Sequence, residues 1–221
     1  MTVLTFGETM ALTRAVDTGP LAHTSTLHVG IGGAESNFAI ALRRLGVDVT
    51  WIGRVGQDSL GDLIERELRA EGITADVIRD LDAPTGLMVK ERRTATATRV
   101  WYYRTGSAGS RLTMSDIADD RLESASLLHV TGITPALSDT TRKTTLHCAE
   151  RARALGIPVS FDLNYRRALW SPDDAAPVFR ELIALSDIVF AGEDEAAIAV
   201  GDGTPPNSSP VSATSDHARA S

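Results

Sequence analysis

Five stretches of this 221-residue chain combine residue types that could act on a ligand. Asp162, Asn164 and Arg166 stand on alternate positions just after an apolar run, and could present three polar groups together. Trp101-Tyr102-Tyr103-Arg104 runs into Gly106-Ser107-Ala108. On a strand Tyr102 and Arg104 share a face, and a phenol beside a guanidinium fork suits a carboxylate with neighbouring hydroxyls. A solvated Arg on an aromatic edge strand fits the same residues. Gly30-Ile31-Gly32-Gly33 opens a helical pattern that contains Asn37. Glycines there let a ligand approach the backbone, and the helix start offers free N–H groups, although a plain glycine turn also fits. With Glu35 at the third-glycine position this is not a dinucleotide fingerprint, and without Gly-Lys-Ser/Thr it is not a P-loop. Gly53-Arg54-Val55-Gly56-Gln57-Asp58, with Gly61 beyond, reads as a strand-to-helix turn capped by Asp58 or Ser59. Gly192-Glu193-Asp194-Glu195 places carboxylates at a helix start, where they cap the helix or hold a water on Mg2+.

The elements that must position these residues alternate. Val3–Phe6, Val49–Ile52, Leu127–Val130, Pro158–Asp162 and Ile188–Phe190 read as strands. Helical periodicity covers 34–45, with Phe38, Leu42 and Leu45 as its buried stripe, and then 59–70, 140–155, 175–185 and 193–200. That alternation implies an α/β fold with a mostly parallel sheet covered on both faces. Two regions break it. Short strand patterns at 11–13 and 27–29, and at 85–91 and 98–104 with a bend at Thr94–Thr96, have no helix between them. They read as a small β-sheet lid, from about 10–30 and 85–105.

Composition sets limits. Twenty-two basic against 29 acidic side chains give a net charge of −7, against a general nucleic-acid binder. Cys148 is the single cysteine, so no internal disulfide forms and a reducing compartment is indicated. No stretch is long and apolar enough for a bilayer span, and the N-terminus lacks a signal-peptide pattern, so a cytoplasmic protein without a membrane partner is expected. From Gly201 the chain turns rich in Ser, Pro, Thr and Gly and reads as a disordered tail over 201–221.

Taken together the motifs resemble the ribokinase-like (PfkB) carbohydrate kinases over residues 1–200. Gly32, Gly33 and Asn37, the run from Gly53 to Gly61, the β lid, and Asp162, Asn164 and Arg166 carry the resemblance. Within the family, Tyr102 to Ala108 and the Asn164-Tyr165-Arg166 run ending at Trp170 are most similar to the 2-keto-3-deoxygluconate kinase branch. The resemblance implies a three-layer αβα domain and ATP-dependent phosphorylation of a primary hydroxyl on a small sugar acid. It places Gly33, Asn37, Tyr102, Arg104, Ile133 and Arg166 around the sugar, with Arg104 and Arg166 suited to its carboxylate. It gives Glu195 an indirect, water-mediated part in holding Mg2+. Met88 departs from relatives that often carry Tyr there, and Gly192 from relatives that often carry Asn. The exposed lid adds a homodimer as the expected assembly.

The family's Asp-Thr-x-Gly-Ala-Gly-Asp segment, which supplies the catalytic base, has no counterpart in these 221 residues. The expectation is therefore a C-terminally truncated domain without a catalytic residue of its own and with most of the ATP site missing. Codons can be written for Thr204–Ala218 that, read two bases later, spell an amphipathic helix ending in Gly-Pro, which predicts a frameshift near Gly203. Two other functions stay open: another sugar kinase of the fructokinase or ribokinase kind, and a sugar-acid binding module without catalysis.

Overall fold

The computed structural model describes residues 2–201. The Ser/Pro-rich tail and its frameshift reading lie outside the described residues, apart from Gly201.

The body is a sheet of six parallel strands: β1 (Thr2–Phe6), β4 (Asp48–Gly56), β5 (Thr74–Asp80), β8 (Leu127–Thr131), β9 (Val159–Asp162) and β10 (Ile188–Phe190). Their order is β10-β9-β8-β1-β4-β5. Alternate side chains feed two cores. On one face Val3, Val49, Trp51 and Val55 pack with α1 (Ala34–Arg44) and α2 (Ser59–Ala70). On the other, Leu4, Phe6, Leu128, Val130, Val159 and Phe161 pack with α4 (Asp139–Ala154) and α5 (Pro172–Leu185). The short α3 (Asp119–Glu123) lies before β8, and α6 (Glu193–Val200) follows β10. This is the αβα arrangement that the alternation of patterns implies. Among the described residues no helix is long and apolar enough to cross a membrane.

A second sheet, in the order β3-β2-β6-β7, is built from β2 (Met10–Ala15), β3 (Leu27–Gly32), β6 (Leu87–Arg92) and β7 (Thr98–Tyr103). The β2–β6 pair is parallel and the other two pairs are antiparallel. These are the helix-free stretches of the sequence.

Three expectations need correction. Gly53–Gly56 is not a turn but the second half of β4. The glycine at 53 serves close approach: a Cβ there would stand 2.3 Å from the Trp51 ring and 2.6 Å from the Gly7 carbonyl. Arg54 inside this run braces the body, donating to Asp116 from Nε (2.7 Å) and Nη2 (3.0 Å) and to Asp80 from Nη1 (3.0 Å). Second, β5 has no counterpart among the expected strands. It is an edge strand whose apolar pattern is broken by Asp76 and Arg79, and these pair with Arg121 and with Asp62 and Glu65. Third, Leu45 is not in the buried stripe of α1: it stands at the C-cap and is 79% exposed.

Candidate active site

The carboxyl ends of β8 and β9 face the lid across a cavity of about 850 Å3. In open parallel sheets ligands sit at such ends, where the strand order changes direction, and here β1 lies between β4 and β8. Gly33, Asn37, Tyr102, Arg104, Ile133 and Arg166, six positions from four separated stretches of sequence, all line this one cavity. Glu195 does not; it lies behind, at the start of α6.

Gly33 is the N-cap of α1, and a Cβ there would stand 2.5 Å from the Glu8 carbonyl and 3.1 Å from the Thr9 Cα. Only glycine lets the start of α1 approach the chain leaving β1 this closely. Asn37, one turn in, is exposed to the cavity. Glu35 ties this helix start to the loop after β8. Its Oε1 accepts from the hydroxyls of Thr131 (2.7 Å) and Thr134 (2.6 Å), which fixes the backbone beside Ile133. Glu35 is fully buried, and burial pushes its carboxyl above the ordinary carboxylate range despite those hydroxyls.

Tyr102 and Arg104 come from β7 and the residue just beyond it, on the cavity side, while Trp101 and Tyr103 face the other side of the lid. Arg104 is not solvated: its side chain is 10% exposed and pairs with Glu8, 96 residues away in sequence. Arg104 Nε donates to Glu8 Oε2 at 2.7 Å. Nη2 stands 2.5 Å from the same oxygen and has no hydrogen-bond acceptor among the described residues. Ser107 donates its hydroxyl to Glu8 Oε1. The carboxylate sits in a slot that two glycines leave open: a Cβ on Gly86 would come within 2.6 Å of it, and one on Gly109 within 2.4 Å of the Glu8 stem. Sequence reasoning missed Glu8. The signal it could have used is the pair of glycines flanking the lid, at 86 and 109.

The lid is rooted by Asp58. This residue caps α2 by accepting from Gly61 N (2.8 Å), and it accepts from Thr85 N (2.9 Å) and the Thr85 hydroxyl (2.8 Å) at the entry to β6. Partial burial raises its pKa, but those donors outweigh it and hold the carboxyl below its ordinary value.

Arg166 and Asn164 come from the loop after β9. Asn164 adopts φ +40°, the left-handed region that Asn tolerates better than most residues, and its amide donates to Asp162 (3.2 Å). Arg166 is exposed and donates from Nη1 to the Tyr165 carbonyl (3.1 Å). Glu195 accepts from Gly192 N (2.9 Å) with one oxygen and from Tyr165 N (2.8 Å) with the other, so it caps α6 and fastens this loop. Desolvation and then the charge of Glu195 push the Asp162 carboxyl above its ordinary value. Among the described residues no three metal-ligating side chains converge.

Comparisons with known proteins show the family and the fold. The model of the pfkB family carbohydrate kinases matches residues 2–214. A 2-dehydro-3-deoxygluconokinase of Bacillus subtilis (strain 168) is 42% identical over 206 residues, 91% of this chain and 63% of that protein. A PfkB protein of Polaromonas sp. JS666 superposes with a TM-score of 0.88 at 39% identity, over 93% of this chain and 70% of that one. A sugar kinase of Pyrococcus horikoshii, solved in complex with ATP, superposes with a TM-score of 0.79 at 26% identity, over 89% of this chain and 65% of that one. The chain spans just under two thirds of the length of the curated relatives it matches.

Proposed function

Since the chain belongs to the pfkB family of carbohydrate kinases, we propose that its cavity binds a small sugar acid, 2-keto-3-deoxygluconate or a close analogue, for ATP-dependent phosphorylation of a primary hydroxyl. The observation that supports this reading is the convergence of Gly33, Asn37, Tyr102, Arg104, Ile133 and Arg166 on one cavity. Asn37 and Tyr102 present polar groups to sugar hydroxyls, and Ile133 packs against the carbon skeleton. Arg104 lines the cavity with its guanidinium fixed by Glu8. Arg166 brings positive charge from the opposite wall.

ATP and Mg2+ enter this proposal through the family. When bound, ATP supplies the phosphoryl group and Mg2+ neutralises charge on its phosphates. The acidic pair behind the β9 loop fits a water-mediated cation. Desolvation, and then the neighbouring charge of Glu195, push the Asp162 carboxyl above its ordinary value, and a divalent cation nearby would favour its charged form. Both Glu195 oxygens already accept backbone amides, so it contributes charge and orients the Tyr165 amide. The outer face of the lid exposes Val29, Trp101 and Tyr103, which supports pairing with a second copy of the chain.

One observation favours a second reading, a sugar-acid binding module without turnover: every described wall of the cavity comes from the lid, α1 and the ends of β8 and β9. Incubation with Mg-ATP and 2-keto-3-deoxygluconate, followed by 31P NMR for a sugar phosphomonoester, separates the two. Product supports the kinase. Binding without product supports the module. Product with fructose or ribose and none with the acid refutes the sugar-acid assignment.

A further inference from the structure

The strand register of the lid places two basic side chains next to each other on its cavity side. Arg14 of β2 stands opposite Lys90 of β6, and His28 of β3 continues the same row. One step further in, Leu12, Met88 and Tyr102 form the next row across β2, β6 and β7. Residues in register on neighbouring strands point to the same face, so Lys90 shares the side of Met88 and Tyr102, and it lines the cavity with them. Lys90 is half-buried and Arg14 is exposed.

No described carboxylate pairs with either. The neighbouring Glu91 is buried on the other face, where it accepts from Leu21 N and pairs with Arg93. Glu8, buried behind the cavity wall, is taken by Arg104. Like charges directly opposite on adjacent strands repel, and nothing in the fold offsets this pair. The charge balance of the cavity points the same way. On the lid wall the Glu8–Arg104 unit is close to neutral, while Arg166 and Arg167 bring positive charge from the loop after β9. Lys90, with Arg14 behind it, is the uncompensated charge on the lid wall.

We propose that Lys90 is a specificity-determining residue that recognises the carboxylate of the bound sugar, with Arg14 keeping the local potential positive. This rests on the sugar-acid reading above and assigns its acid selectivity to the lid. Arg104, neutralised by Glu8, then adds little net charge at the sugar, so the ability to tell an acid from a neutral sugar resides at a position that sequence motifs did not single out.

The test is calorimetric titration of the chain with 2-keto-3-deoxygluconate and with 3-deoxyfructose, which carries a CH2OH in place of the carboxylate. For Lys90→Met the affinity for the acid should fall roughly 10- to 100-fold, as for loss of a hydrogen bond to a charged group. Affinity for 3-deoxyfructose should stay within about twofold, the scale of a contact not made. Lys90→Arg should restore most of the acid affinity. Arg14→Gln should weaken acid binding several-fold at low salt and less at high salt. Thermal midpoints matching the unaltered chain exclude a folding defect. Equal losses for both sugars in Lys90→Met, or no loss for either, overturn the inference while leaving the site reading intact. No binding of either sugar by the unaltered chain overturns both.

Discussion

Glu8→Gln is the most informative single change, because it removes a charge and leaves the shape of the side chain almost untouched. Glu8 is 1% exposed and the Arg104 side chain 10% exposed, so solvent screens the pair very little. Removing one partner of a buried pair leaves the other charge uncompensated, which typically costs about 3–5 kcal/mol. Gln keeps one carbonyl oxygen for the Ser107 hydroxyl and turns its NH2 towards Arg104 Nε, so the loss combines the charge with that one hydrogen bond. For a chain of this size each kcal/mol shifts the thermal midpoint by about 2–4 °C, which places the expected drop at roughly 6–20 °C. The freed Arg104 then becomes an anion site, so a saturating sugar acid should recover part of the lost midpoint, and 3-deoxyfructose should recover less. Differential scanning calorimetry with and without each sugar reads both effects. A midpoint within about 2 °C of the parent would refute the claim that this pair anchors the lid to β1.

Other consequences are open to measurement. His129, 3% exposed and stacked on Phe38 at 3.6 Å, is pushed down to about 4 by burial, from an ordinary value of 6.5. The unfolded chain therefore binds the extra proton first, and stability falls as pH drops from 6.5 towards 4, by up to about 3 kcal/mol. Urea unfolding of His129→Gln should show a shallower pH slope across that window, and an identical slope contradicts the assignment. Gly33→Ala drives a Cβ into the Glu8 carbonyl, so stability should fall by about 1–3 kcal/mol and sugar affinity with it; an unaltered Kd counts against the close approach. Cys148 is 2% exposed and its thiol is pushed up to about 12 by burial, so thiol reagents at pH 8 should label the chain only once it unfolds.

Much of the architecture was legible in the sequence because its signals are local. Apolar runs followed by helical periodicity marked β4, β8, β9 and their helices, and helix-free strand patterns marked the lid. β5 escaped because its interior charges are satisfied by Arg121, Glu65 and Asp62, partners that only the fold brings near. Gly53 and Gly56 read as a turn because glycine usually marks one; here the Trp51 ring and the Gly7 carbonyl occupy the space a side chain at 53 would need. For the site, the resemblance named six positions and the fold brought them to one cavity, but what holds them there was hidden. Glu8 meets Arg104 across 96 residues and Glu35 meets Thr134 across 99, and neither distance leaves a trace in local spacing. The Arg14–Lys90 row depends on strand register, which no spacing along a single segment reveals.

The central claim is that the cavity between the lid and the strand ends is a sugar-acid site. The most direct test is calorimetric titration of 2-keto-3-deoxygluconate into the unaltered chain and into Asn37→Ala and Tyr102→Phe variants that retain the parent's thermal midpoint. Saturable binding at one site per chain, weakened in both variants, is the predicted result. No binding, or binding that both variants leave unchanged, would contradict the account.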